Sequence, residues 1–171
     1  MMTLKSRQRL PYRKNCEAYL LYKGDQVLAR DTGKGYLEFP GGGFDLYETP
    51  KQAVAREVFE ETGAVVEDFK KIGVLHFDWG PSWAKTEKQK QRYKEFRGEE
   101  MHLFTGRVKR LTKPKGCPIT NELGWKGKRM MPIDSAIDFI NTQRPFPKTM
   151  RKYYSKQINI LRSLRKRLLD H

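Results

Sequence analysis

The spacing of apolar and polar positions divides the chain into short strands joined by turns, with one sharply bounded helix early and two helices at the end. Residues 1–13 are basic and aperiodic and read as a loose arm. Cys16 to Leu21 and Gln26 to Arg30 read as the strands of a hairpin around Lys23, Gly24 and Asp25. Tyr36 to Phe39 forms a short strand that runs into Pro40 and three glycines, Gly41, Gly42 and Gly43. The period then changes. Thr49 as N-cap, Pro50 at the first helical position and Gly63 as the stop predict a helix over 50–62. Strands follow at Val65-Val66, 71–79 and 99–108, the last with Met101, Leu103 and Phe104 as candidates for burial. Between the last two lies a polar insertion, 84–98, read as a solvated loop or an exposed helix. A basic, proline-containing connection over 109–120 leads through Trp125 to a last strand that ends at Met131. Ile137, Phe139 and Ile140 mark a helix over 135–141, which Pro145 and Pro147 end. Tyr154, Ile158, Leu161, Leu164 or Arg165, and Leu168 fall on one stripe of a final helix over 149–169.

The helix over 50–62 carries the candidate chemistry. At about 100° per residue, Glu57, Glu60 and Glu61 share one face, while Ala53 and Val54 belong to another. Like charges so spaced repel by roughly 0.2–0.5 kcal/mol per pair, and Arg56 is the only nearby offset within the helix. A hard divalent cation relieves that repulsion, and carboxylate oxygens suit Mg²⁺ or Mn²⁺ rather than zinc. An isolated E-x-x-E-E is more commonly a solvated acidic face. The surrounding residues change that balance.

Gly42, Glu48, Arg56, Glu57, Val58, Glu60, Glu61 and Gly63 stand in the register G-x5-E-x7-R-E-U-x-E-E-x-G-U, with Ala64 at the closing position where a larger aliphatic is usual. This stretch resembles the signature of the Nudix hydrolases, and the order of elements around it is similar to that family's fold. The resemblance implies a single α/β domain, an α/β/α sandwich with a mixed sheet and an additional C-terminal helix. It implies hydrolysis of a nucleoside diphosphate linked to another moiety. On that basis Glu57, Glu60 and Glu61 are the expected metal ligands, with the Gly42 carbonyl as a further donor. Arg56 is expected to orient the carboxylates, and Glu48 to pair with Arg56 or reach the metal through water. Glu61 is the first choice for general base, with Glu99 and Glu100 as alternatives. Gly41, Gly42 and Gly43 let the backbone approach phosphate and metal.

Composition adds partners rather than chemistry. The 171 residues include 35 Lys and Arg against 20 Asp and Glu, a formal net charge of +15, which attracts polyanions such as a nucleotide, RNA or an anionic membrane surface. The insertion over 84–98 contributes six basic side chains against two acidic ones. The final helix has three readings: its stripe packs on the core, meets a second copy in a homodimer, or leaves a basic face for RNA or membrane. With no apolar run of spanning length, no leader pattern, and two cysteines, Cys16 and Cys117, without metal spacing, the chain reads as a cytoplasmic protein with reduced thiols. Trp79, Trp83 and Trp125 are candidate stacking surfaces for a base. The leading reading is a small-molecule pyrophosphohydrolase acting on a nucleoside triphosphate or an ADP-ribose-like nucleotide sugar. The alternatives are an RNA 5′-end pyrophosphohydrolase or decapping enzyme, and a non-catalytic nucleotide sensor, against which the full carboxylate set argues.

Overall fold

The computed structural model describes residues 7–116 and 123–170. Its strands are β1 (Tyr12–Tyr22), β2 (Gln26–Leu28), β3 (Arg30–Asp31), β4 (Leu37–Glu38), β5 (Gly41–Gly43), β6 (Ala64–Val66), β7 (Lys70–Asp78), β8 (Gly98–Leu111) and β9 (Met130–Pro132). Its helices are α1 (Pro50–Thr62), α2 (Glu87–Glu95), α3 (Ile133–Thr142) and α4 (Arg151–Leu169), with a 3₁₀ turn at Pro81–Trp83.

The architecture follows from β1, in which every residue from Asn15 to Leu21 is buried. A strand buried on both faces belongs at the centre of a layered sheet. It pairs in parallel with β8, Tyr12 opposite Gly98 through Leu21 opposite Arg107, and antiparallel with β5 and β2. Antiparallel β7 and β6 extend the sheet along β8, and β9 pairs with β2. Among the described residues this makes one mixed sheet of seven strands, with β3 and β4 as a separate two-stranded ribbon.

Alternation along β1 divides the core. Cys16, Ala18 and Leu20 face α1, joining Ala53, Val54 and Val58, while Tyr19 and Leu21 face α3 and α4, joining Ile133, Ile137, Ile158 and Leu161. Each fully buried valine or leucine contributes roughly 1.5–3 kcal/mol of apolar burial. The apolar stripe of α4 is thereby used within the chain, and its burial extends to Gln157 and Ile160, which the stripe did not include. The expected α/β/α sandwich with a C-terminal helix is the observed arrangement.

Several boundaries differ from expectation. The first strand begins at Tyr12 rather than Cys16, and Arg7 is buried, so the described part of the segment read as a loose arm is built into the fold. The polar residues Arg13, Lys14 and Asn15 concealed this strand, because their partners come from β8, far along the chain. The insertion is an exposed helix, α2, with no buried residue. The last strand is confined to Met130–Pro132, and α3 starts earlier, at Ile133. Cys16 is buried as expected, whereas Cys117 lies outside the described residues. No described helix is long and apolar enough to cross a membrane.

Candidate functional site

Helix α1 forms where the sequence places it. The Thr49 hydroxyl accepts from the Gln52 N–H and the Gln52 side chain accepts from the Thr49 N–H, a capping box that extends the predicted N-cap. Gly63 closes the other end with φ of 69°, a left-handed conformation natural to glycine. With Ala53, Val54, Val58 and Thr62 buried, Arg56, Glu57, Glu60 and Glu61 are left facing the glycine strand β5.

Arg56 is the hub of this face. Its Nε and Nη2 donate to the two carboxylate oxygens of Glu48 at 2.7 and 2.8 Å, Nη2 also donates to the Gly43 carbonyl at 2.9 Å, and Nη1 donates to Glu57 at 3.0 Å and Glu60 at 3.4 Å. Asp45 stands 3.3 Å away. Such charge-assisted, two-pronged contacts fix orientation as well as charge. The Arg56 donors hold the Glu48 carboxyl below the usual carboxylate range, and Glu48 chiefly keeps Arg56 protonated. Of its two expected roles, Glu48 has the geometry of the Arg56 partner.

Glu61 is held differently, accepting the Gly41 N–H at 3.0 Å. Burial pushes its carboxyl up to about 8, against the lowering effect of that hydrogen bond. Burial also raises Glu57 despite Arg56. Among the described residues no three carboxylate, imidazole or thiol groups are drawn into a closed cage; Arg56 engages Glu57 and Glu60, and Gly41 engages Glu61.

The glycines owe their identity to close approach. A Cβ at Gly41 would fall on the Cys16 carbonyl, one at Gly42 on the Glu57 carboxylate, and one at Gly43 on the Arg13 guanidinium. Their immediate neighbours are thus the chain's own groups.

These residues form one side of a cleft of about 460 Å³. The other side carries Arg13, Asn15, Lys88, Arg92 and Glu99, which sequence reasoning did not place there, apart from Glu99. Asp45 is a further addition. Arg13 Nη1 donates to the Asn15 side-chain oxygen, and the Asn15 amide donates to Glu99. No local signal marks these residues, since β1 and β8 are brought together only by the sheet. Glu100 is elsewhere occupied, 2.7 Å from His102 and 3.3 Å from His76, contacts that lower its carboxyl. Trp79 and Trp83 are outside the cleft lining and stack on each other, 3.7 Å apart and 6° from parallel. Trp125 is buried beneath the Arg30 guanidinium.

The chain is similar to known proteins in sequence and in fold. A 67-residue segment is 37% identical to the RNA pyrophosphohydrolase of Hamiltonella defensa subsp. Acyrthosiphon pisum (strain 5AT), covering 39% of this chain and 41% of that protein. The matches span less than half the length of these curated relatives. In fold, the chain is similar to a NUDIX hydrolase from Nitrosomonas europaea, with a TM-score of 0.52 at 19% identity over 87% of this chain and 89% of that one. It is also similar to the C. elegans Ap4A hydrolase, with a TM-score of 0.53 at 14% identity over 92% of this chain and 98% of that one. The family match itself is to the NUDIX domain and runs over residues 12–155 of the 171, so this chain belongs to the NUDIX family.

Proposed function

We propose that this chain is a divalent-cation-dependent pyrophosphohydrolase cleaving a phosphoanhydride of a nucleoside diphosphate linked to another moiety, as in a nucleoside triphosphate or an ADP-ribose-like nucleotide sugar. The observation that carries this reading is the convergence of Glu57, Glu60 and Glu61 with Gly42 on one cleft.

The donors suit a hard divalent ion. They are all oxygens, and only a residue without Cβ at position 42 leaves the Glu57 carboxylate free. Glu57, Glu60 and Glu61 would hold Mg²⁺ or Mn²⁺, together with the Gly42 carbonyl, which accepts from the Cys16 thiol at 3.4 Å and has a second lone pair. Such an ion supplies neutralisation of the phosphoanhydride oxygens and acidification of the attacking water. The protein's part is positional. Arg56 keeps Glu57 and Glu60 aimed into the cleft while Glu48 holds Arg56. Glu61, held in the same cleft by the Gly41 N–H, is the first candidate to take the proton from water. Glu99, on the opposite wall, is the alternative.

The test is an Mg²⁺-supplemented panel of nucleoside triphosphates, ADP-ribose, dinucleoside polyphosphates, and triphosphorylated or capped RNA, with products identified. Glu60→Gln and Glu61→Gln are expected to lower turnover by roughly a hundredfold or more with the fold retained by circular dichroism. Turnover close to wild type in both variants rejects the assignment. A second reading, hydrolysis at an RNA 5′ end, is favoured by the name of the Hamiltonella defensa relative and by the net charge of +15. Steep salt dependence of binding to a 5′-triphosphate RNA supports it. Folded wild-type protein inert on every substrate favours the nucleotide-sensor reading.

A further inference from the structure

Helix α2 has no core reason to lie where it does. None of its residues is buried, yet it brings Lys88 and Arg92 to the same cleft as the α1 carboxylates. It is held there by polar ties. Arg7 donates to the carbonyls of Tyr93, Phe96 and Arg97, and its guanidinium lies 3.4 Å from the centre of the Tyr93 ring. The Arg97 N–H donates to the Pro11 carbonyl at 3.0 Å, and its side chain donates to the Gln8 carbonyl at 3.2 Å.

The wall so built is cationic. Arg13 and Arg92 line the same cleft, and the proton affinity of Arg13 is lowered first by burial and then by the charge of Arg92. Glu99 lies 3.9 Å from Arg13 in the same cleft lining, and its carboxyl is raised by burial against the lowering charges of Arg13 and Arg92. Two guanidiniums, those of Arg13 and Arg92, against the one carboxylate of Glu99 leave this wall positively charged in a confined space. Asn15 fixes one prong of Arg13, and Gly43 admits the guanidinium. Gly43 also joins the two walls, because its carbonyl accepts from Arg56 while its α-carbon faces Arg13.

We propose that Arg13 and Arg92 form an anion subsite for a phosphate group of the substrate, one next along the chain from the phosphates engaged at the α1 carboxylates. The ligand class is a linear polyphosphate ester with at least three phosphates. Forked guanidinium donors match phosphate oxygens two at a time, and an anion between two guanidiniums removes their mutual repulsion. The adjacency of this subsite to hydrolytic chemistry rests on the proposed function; the anion binding itself does not.

The test uses the full chain and inorganic tripolyphosphate in EDTA, with calorimetry as the readout. Arg92→Gln and Arg13→Gln are each expected to weaken binding about tenfold or more, as for loss of a charge-assisted contact. Arg167→Gln, on the exposed face of α4, is the control for net charge and is expected to bind as wild type. Wild-type affinity in both cleft variants, or an equal loss in Arg167→Gln, overturns the subsite. Repeating the titration with a nucleoside triphosphate and with a 5′-triphosphate RNA separates the two sources of the ligand. An equal loss with both identifies the phosphate chain as the group bound, and a loss with RNA alone overturns the subsite in favour of a contact further along the RNA. Because the titration contains no divalent ion, failure of the Glu60 and Glu61 variants to lose turnover would remove the metal reading and leave this result standing, and the reverse also holds.

Discussion

Tyr47 holds φ of 67° while 93% of its surface is open to solvent. A left-handed backbone costs a residue with a Cβ about 1–2 kcal/mol, and an exposed ring recovers little of that by packing. The reason for the conformation lies on either side. The Asp45 N–H donates to the Glu48 carboxylate at 2.8 Å and the Glu48 N–H to the Asp45 carbonyl at 3.2 Å, closing a turn that delivers Glu48 to Arg56. Tyr47→Gly is therefore expected to stabilise the protein by about 1 kcal/mol, after subtracting the extra freedom of glycine in the unfolded chain. A raised urea midpoint at unchanged slope checks it; a lowered midpoint would show that the ring is held by contacts worth more than the strain.

At the scale of elements, α1 and α2 are opposites. Helix α1 is bounded by a capping box and a left-handed glycine and anchored by Val54 and Val58, so its position follows from its own residues. Helix α2 has the local signals of a helix, including a Thr86 and Gln89 capping box, but no apolar anchor. Its place depends on polar ties to a distant segment, among them the Arg7 side chain some eighty residues upstream and the Arg97 contacts with Pro11 and Gln8. Arg7→Ala is expected to raise hydrogen exchange over residues 87–95 while leaving the β1 amides protected, since low-stability segments open without the core. Unchanged exchange over 87–95 would assign the tether to Arg97 and Pro11 instead.

At the scale of the whole molecule, the carboxylates of Glu17, Glu57, Glu61 and Glu99 are all pushed up by burial, inside a chain of net charge +15. Glu17 is the deepest, accepting from the hydroxyls of Tyr19 on β1 and Tyr153 on α4. A carboxyl whose folded pKa lies above its unfolded value keeps its proton in the native state while the unfolded chain ionises. The native state then binds more protons, and stability falls as pH rises from about 4.3, the ordinary glutamate value, toward the folded values. For Glu61 that decline ends near pH 8. In EDTA, urea midpoints are expected to drop across this window. Glu17→Gln keeps an acceptor for the two tyrosines and removes one titrating group, so its decline is expected to be shallower, by at most about 1.4 kcal/mol per pH unit. Equal slopes in the two proteins would show that Glu17 is ionised throughout.

By itself the sequence determined what local physics can determine. Thr49, Pro50 and Gly63 bound a helix whatever surrounds it, and the spacing of Glu57, Glu60 and Glu61 puts them on one face because a helix has a fixed period. The apolar stripe of the last helix was equally legible, and it packs on the core. Tertiary structure alone decided the rest. Arg13 and Asn15 lie in a polar stretch without periodicity and become a strand only because β8 supplies partners in parallel register. Arg92 reaches the cleft through contacts of Arg7, and Asp45 joins Arg56 through a turn closed by Glu48. Pairings between distant segments leave no periodic trace in either one. One wall of the cleft was therefore readable from a single helix, and the opposite wall exists only once the sheet has formed.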